Sequence, residues 1–525
     1  MSAAELPTLI EALRDPARYP QPGERVELVE THISWVLLTG RFAYKIKKPV
    51  DLGFLDFSTL DARRHFCEEE LRLNRRTAPE LYCAVVPITG SPSDPAVGGA
   101  GKPIEYAVQM RQFDQSRLLD RVAKRGELAA DQVDALAHAL ALFHSRIDAA
   151  PAGSAFGNPE HVLAPAMQNF EQLESLVTGA EDLAAISALR NWTRSRYAAL
   201  REFIALRKRE GRVRECHGDL HLGNIALLDH RPVPFDCIEF NAELRWIDVM
   251  SEIAFLVMDL HDHRLPGLAA RCLNAYLEAT GDYAGLRVLR FYCVYRAMVR
   301  AKIACIRAHQ GGLAAGDMAR LLDEMRGYLA LARDLALPGR RALIIAHGLS
   351  GSGKSTVAQL VAESSAAVRV RSDVERKRLH GMAPDARTRD APDAGLYSAA
   401  ATRATYERLA AIALDALDAD YPVIVDAAFL KKHERLRFHE LARERGVPFL
   451  IACCDAPEPL LRSRLAGRER AGRDASDATI AVLERQLRDW EALQTDELPF
   501  AVRFDTAADA DSLAAALAEL ERRMT

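Results

Sequence analysis

Two short stretches carry residue types at spacings that suit phosphoryl transfer. His217-Gly218-Asp219-Leu220-His221-Leu222-Gly223-Asn224 follows the pattern H-x-D-x-x-x-x-N, and a further carboxylate, Asp236, lies twelve residues on in Pro234-Phe235-Asp236-Cys237. Such a set offers Asp219 to orient and deprotonate a hydroxyl, with Asn224 and Asp236 to hold Mg²⁺. Far along the chain, Gly348-Leu349-Ser350-Gly351-Ser352-Gly353-Lys354-Ser355 satisfies G-x-x-x-x-G-K-[ST]. There Gly348, Gly351 and Gly353 let the backbone curl so that N–H groups around Ser352 point at phosphate oxygens, and a helix opening at Thr356 adds positive potential. Lys354 then reaches the β- and γ-phosphates, and the Ser355 hydroxyl ligates Mg²⁺.

More residues of the second stretch suit the same chemistry. Val423-Ile424-Val425-Asp426 ends an apolar run in a carboxylate, as a magnesium ligand should, with a helix cap as the plain alternative. Asp373, in Ser372-Asp373-Val374-Glu375-Arg376-Lys377, falls at the carboxyl edge of a strand, where it would face a ligand crevice and accept a proton. Arg462, Arg464, Arg468, Arg470 and Arg473 crowd a helix and loop. Arg464 and Arg468, four apart, share a helix face and suit a phosphate-clamping lid, the alternative being a solvated basic face.

These residues need elements to hold them. Val26 to Glu30, Trp35 to Leu38 and Phe42 to Lys48 read as strands, with Thr39-Gly40 as a turn, and Leu60 to Thr77 reads as a charged helix ended by Pro79. Strands follow at Ala84 to Ile88 and Ile104 to Met110, with GSPSDPAVGGAGKP between them expected as a surface loop. After Leu118 the pattern is mostly helical to about Leu335, interrupted by a strand–loop segment from Val213 to Glu239. Residues 336–341, with Pro338-Gly339 as punctuation, read as a linker between domains 1–335 and 342–525. Apolar runs at 342–346, 368–370, 422–425 and 449–453, with helical stretches between, predict a parallel α/β sheet buried on both faces.

The bulk numbers narrow the class. A length of 525 residues implies two to four domains. Lys+Arg 69 against Asp+Glu 73 leaves a net charge of −4, without the basic excess of a chain that wraps nucleic acid. Hydrophobic content of 49% and charged content of 27% are those of a globular chain and argue against global disorder. No apolar stretch approaches the ~20 residues of a membrane span, and the opening MSAAELPTLIEALRDP has no signal-peptide core. Nine cysteines with no CxxC pair read as reduced thiols in a cytoplasm.

Residues 20 to 335 resemble the aminoglycoside phosphotransferase-like branch of the protein-kinase-like fold, through HGDLHxGN and the hydrophobic-Asp pair that follows. The resemblance implies that Asp219 is the catalytic base, that Asn224 and Asp236 hold magnesium and that His217 supports the loop. It also implies a strand lysine that grips the α/β-phosphates, Lys45 with Lys47 as the alternative, and a helix glutamate partner, Glu70 among Glu68, Glu69 and Glu70. Residues 342 to 520 resemble small P-loop kinases of the polynucleotide 5′-kinase, gluconate kinase, chloramphenicol phosphotransferase and zeta-toxin kind. In that pattern a general-base Asp is followed three residues later by a substrate-side Arg, which Asp373 and Arg376 match. The pair of domains resembles a bacterial fusion of the two, with Lys48 to Phe57 and Leu73-Asn74-Arg75-Arg76 fitting it.

The expected fold is an α+β protein-kinase-like, two-lobed N-terminal domain plus an α/β P-loop NTPase C-terminal domain with a parallel sheet. The expected function is an ATP-dependent small-molecule kinase with two Mg·ATP sites, each phosphorylating a hydroxyl of a small, sugar-like acceptor. Nucleic acid and membrane are disfavoured as partners, and the oligomeric state stays open. Acidic groups at Asn241 to Asp248 and Asp259 to His263 are candidates for the acceptor side, with helix surface charge as the plain alternative. The rival function leaves the P-loop domain as the only kinase, for a small molecule or a polynucleotide 5′-end, and makes the N-terminal domain a ligand-binding regulator.

Overall fold

The computed structural model describes residues 6–21, 25–51, 53, 55–309, 313–383, 386, 395–471 and 479–524. The chain divides into two compact units, Met1–Ala164 with Arg201–Asp259, and Pro165–Leu200 with Leu260–Thr525.

The first unit opens on a six-stranded antiparallel sheet of β1 (Glu27–Glu30), β2 (Ser34–Leu38), β3 (Phe42–Lys47), β4 (Tyr82–Ser91), β5 (Asp94–Val97) and β6 (Glu105–Arg111), in the order β1-β2-β3-β6-β4-β5. Period-2 alternation explains its two faces. Leu37, Tyr44, Ile46 and Ala107 turn one way, into a core shared with Leu6, Leu9 and Leu13. Tyr82 and Val108 turn the other way, against Cys67 of the helix Leu60–Asn74. That helix starts where the Thr59 hydroxyl accepts the Ala62 N–H at 3.1 Å.

The Gly/Pro-rich stretch after β4 differs from expectation, because it contains β5, which pairs back on β4 from Ile88↔Val97 to Ser91↔Asp94. Pro95 is tolerated there because β5 is the sheet's edge and needs no ladder N–H on its outer side. Further on, β7 (Val213–Glu215) pairs with β10 (Trp246–Asp248), so this ribbon frames the segment 216–245, and within that segment β8 (Ile225–Leu228) pairs with β9 (Arg231–Pro234).

In the second unit β11 (Leu343–His347), β12 (Val368–Arg371), β13 (Val423–Asp426), β14 (Phe449–Asp455) and β15 (Ala501–Asp505) form an all-parallel sheet in the order β12-β13-β11-β14-β15. Ile344, Ile424 and Ala452 are fully buried among Val357 and Val361 of the helix Lys354–Ser365, which is why these strands read as continuous apolar runs. The edge strand β15 leaves no continuous apolar run in the sequence, because its alternating Ala501-Val502-Arg503-Phe504-Asp505 is half polar. The helices Pro266–Thr280, Leu286–Ala308 and Ala315–Ala336 lie in this unit too, and 266–280 packs along 354–365 and β12. The α+β protein-kinase-like fold and the α/β P-loop fold with a parallel sheet are thus both present. No helix among the described residues is long and apolar enough to cross a membrane.

Candidate functional site

In the first unit, Lys45 and Lys47 lie two apart on β3 and face the same side. Lys45 Nζ donates to Glu70 Oε1 at 2.9 Å and to Asp236 Oδ1 at 2.5 Å. Lys47 Nζ donates to Glu70 Oε2 at 2.7 Å and to Glu239. Glu70 therefore bridges both lysines, whereas Glu68 pairs with Arg64 and Glu69 with Arg72 and Arg245. Burial pushes the Glu70 carboxyl up, but the two ammonium groups outweigh it and hold it at about 2. The Lys45 side chain keeps 11% of its surface exposed and the Lys47 side chain none, so Lys45 alone of the pair has access to a ligand.

The His217–Asn224 loop is built from its own side chains. His217 Nε2 faces the Phe235 carbonyl at 2.8 Å and so must carry the proton, which leaves Nδ1 to accept the Asp219 N–H at 3.4 Å. Burial lowers the His217 pKa and favours this neutral form. Gly218 sits at φ +90°, and a Cβ there would meet Leu244 O at 2.9 Å. Asn224 Nδ2 donates to Asp219 Oδ2 at 2.9 Å, which turns its amide oxygen away from that carboxylate. Phe235 N–H donates to Asn224 O at 2.9 Å, so the β8–β9 ribbon brings Asp236 back beside the loop. Asp236 adopts φ +63°, and its N–H donates to the Tyr82 hydroxyl at 3.1 Å.

Motif spacing missed the residue beneath this loop. Glu252, fully buried on the helix Val249–Asp262, accepts from His217 N–H at 3.1 Å and Gly218 N–H at 2.8 Å and pairs with His144 Nε2 at 3.0 Å. Of the acidic groups expected at the acceptor side, Asp248 and Asp259 are engaged in the framework. Asp248 is buried against Arg207 at 2.6 and 2.7 Å, and Asp259 accepts the Leu222 N–H at 2.8 Å. Both lie in positions where the loop and the β7–β10 ribbon need a fixed anion.

In the second unit the glycine loop runs from the end of β11 into helix 354–365. Gly348 and Gly351 have φ +153° and +86°, and a Cβ would strike Cys454 O at 2.5 Å or Leu461 O at 2.9 Å, so no larger residue fits either turn. Lys354 Nζ donates to Leu349 O at 2.8 Å. Gly353 caps the helix, with Ser355 and Thr356 in its first turn. Asp426 ends β13 beside β11 and is 6% exposed, and Arg371 Nε approaches its Oδ2 at 3.9 Å. Asp373 lies in the first turn of the helix Ser372–Leu379, which leaves β12 directly, and is half-buried. Arg376, on the same helix, donates from Nη1 to Leu396 O at 2.9 Å.

Arg464, on the helix Glu458–Ala471, donates from Nη1 to Gly351 O at 3.1 Å and from Nη2 to Thr506 O at 2.7 Å. Thr506 Oγ1 in turn donates to Ser352 O at 2.9 Å. Arg464 and Thr506 border a cavity of about 420 Å³ that is also lined by Gly353, Thr356, Leu360 and Leu513. The Arg468 and Arg470 side chains and Arg473 lie outside the described residues. The donor sets suit magnesium, a hard cation that prefers oxygen, since Asn224 and Asp236 in one unit and Ser355 and Asp426 in the other offer only amide, hydroxyl and carboxylate oxygens.

The Phosphotransferase enzyme family model matches residues 68–292, and an AAA domain model matches 343–493. Uncharacterized protein Rv2004c of Mycobacterium tuberculosis is 31% identical over 470 residues, covering 89% of this chain and 91% of that protein. A gluconokinase from Sinorhizobium meliloti is 25% identical with a TM-score of 0.25, over 35% of this chain and 94% of that one. A choline/ethanolamine kinase family protein from Mesorhizobium loti is 13% identical with a TM-score of 0.37, over 62% of this chain and 99% of that one. Through its long match to Rv2004c, the chain belongs to that protein's family, and it is a phosphotransferase in which two kinase-type domains, one of the phosphotransferase enzyme family and one with a P-loop, share a single polypeptide.

Proposed function

We propose that the protein is a bifunctional ATP-dependent kinase with two separate Mg·ATP sites, each passing the γ-phosphoryl group to a hydroxyl of a small molecule. The observation that carries this reading is Lys45 Nζ held between Glu70 and Asp236, 25 and 191 residues away, the arrangement in which a kinase-type nucleotide site keeps its phosphate-binding lysine beside a magnesium-type carboxylate. In the first unit Lys45 orients the α- and β-phosphates while Glu70 keeps its ammonium in place. Asp219 accepts the proton of the acceptor hydroxyl as its oxygen attacks the γ-phosphorus and the bond to the bridging oxygen breaks. Asn224 and Asp236 hold the magnesium, and His217 and Glu252 fix the loop that carries Asp219.

In the second unit Lys354 and the loop N–H groups bind the phosphates, Ser355 and Asp426 hold the magnesium, and the cavity beside Thr356 and Arg464 receives the nucleoside. Asp373 accepts the acceptor proton and Arg376 borders the acceptor. Bound magnesium supplies charge neutralisation on the phosphate oxygens in both sites. The near-balanced net charge favours small, polar hydroxyl compounds, sugar-like ones included, over nucleic acid.

The test is a metabolite-extract screen with γ-labelled ATP that compares the wild type with Asp219→Ala and Lys354→Ala. Label lost from different products in the two variants supports two kinases and identifies both acceptors. Label that survives Asp219→Ala entirely reduces the first unit to a binding module.

A further inference from the structure

The glycine loop of the second unit is engaged by a side chain that no motif predicts. Ser350 N–H donates to Gln486 Oε1 at 2.7 Å. Gln486 lies on the helix Ile480–Asp489, which is anchored to the loop and its strand at two further points. Leu483 is fully buried in a cluster with Leu349, Leu461 and Leu465. Trp490, at the C-cap, stacks on His347 with ring centroids 4.4 Å apart and planes 24° from parallel. His347 is the last residue of β11, and its Nδ1 donates to Phe429 O at 3.0 Å. Gln486 is thus held between two packed contacts.

In a P-loop that binds ATP as proposed above, this position would face the reacting end of the nucleotide. Lys354, whose ammonium serves the β- and γ-phosphates, bonds Leu349 O, so the Leu349–Ser350 peptide lies on the γ side of the loop. A phosphate oxygen taking the Ser350 N–H meets Oε1 as a second acceptor on one donor, a repulsive pairing. Half a turn about the terminal torsion exchanges Oε1 for the donor Nε2, and this torsion is soft. Nε2 makes no hydrogen bond with another group among the described residues.

We propose that Gln486 reads the γ-phosphate, with Oε1 on Ser350 N–H when the bound nucleotide ends at the β-phosphate and Nε2 donating to a γ-phosphoryl oxygen when ATP is bound. It thereby positions the transferred group and favours ATP over ADP. This rests on the P-loop being an ATP site, as proposed above.

The experiment is titration calorimetry with the magnesium complexes of AMP-PNP and ADP on the full-length chain, carrying Asp236→Ala to silence the first unit. Gln486→Glu keeps an acceptor for Ser350 N–H but opposes the γ-phosphate, and should lower AMP-PNP affinity at least about tenfold with ADP affinity within about twofold. Gln486→Met keeps length and packing without either polar group, and should lower the AMP-PNP:ADP affinity ratio about threefold to tenfold. A purely packing role would shift both nucleotides together. A ratio within about twofold of the parent in both variants overturns the proposal. A parent that binds neither nucleotide overturns the P-loop reading itself, and the role of Gln486 with it.

Discussion

Asn274 Oδ1 accepts the backbone N–H of Arg369 at 2.7 Å, and its Nδ2 donates to Ala367 O at 2.9 Å. A single buried side chain thus closes the outer edge of β12, where a neighbouring strand would otherwise pair. One turn on, Glu278 accepts from Arg369 and Arg371, both at 3.0 Å. The helix 266–280 lies within the span matched by the phosphotransferase model, yet it seals the edge of the P-loop sheet.

Asn274→Ala removes both bonds and strands two backbone groups, Ala367 O and Arg369 N–H. The expected cost is about 2–4 kcal/mol, read as a lower urea midpoint for the transition that reports β12. An unchanged midpoint would mean water replaces the side chain at no cost.

Lys45 and Lys47 share Glu70 but should fail differently. Lys45→Met should cut first-unit phosphoryl transfer more than about 100-fold, and it should lower the melting temperature less than Lys47→Met, because Lys47 still neutralises buried Glu70 and Asp236 lies closer to solvent. Lys47→Met leaves Glu70 and Glu239 buried with less compensating charge, and should destabilise the unit by about 3–5 kcal/mol. Equal loss of activity and stability in the two variants would contradict this division of roles.

Glu252→Gln replaces an anion that serves two loop N–H groups and His144 with an amide that presents one donor end to them. Burial pushes the Glu252 carboxyl up, but the hydrogen bonds from His144 and the Gly218 N–H hold it at about 2, so it is ionised in the folded protein. Steady-state kinetics should show the first-unit kcat at least about tenfold lower, with Asp219 itself intact. A kcat equal to wild type would show that the loop keeps its shape without this anion.

Burial and the Arg435 charge lower the His347 pKa to about 4, below its ordinary 6.5. The unfolded chain therefore takes up this proton first. The stability tied to neutral His347 is fully present above pH 6.5 and is lost as pH falls towards 4, at about 1.4 kcal/mol per pH unit. His347→Phe keeps a ring against Trp490 but cannot titrate, so denaturation curves between pH 6.5 and 4 should slope less steeply by about one proton. Identical slopes would show that His347 is protonated equally in both states.

Local chemistry made much of both sites legible. In Gly348 to Ser355 the needed backbone conformations and phosphate-binding groups fall within eight consecutive residues, and His217 to Asn224 places Asp219 and Asn224 by the reach of one loop. The apolar runs of β11, β13 and β14 likewise declare a sheet covered on both faces, since no other environment tolerates them. What spacing leaves open is any partner that arrives from far along the chain. Glu70 among three adjacent glutamates, Glu252 beneath Gly218, Asn274 on Arg369 and Gln486 on Ser350 are ordinary polar residues of helices, alike in sequence to any solvated face. The strands β5 and β15 escaped for a related reason, because an edge needs only half a ladder and tolerates proline or charge. The amino-acid sequence by itself determined which groups can do chemistry and the two folds that carry them. Tertiary structure alone decided which polar side chain meets which backbone group, because that choice depends on burial and on packing between segments tens to hundreds of residues apart.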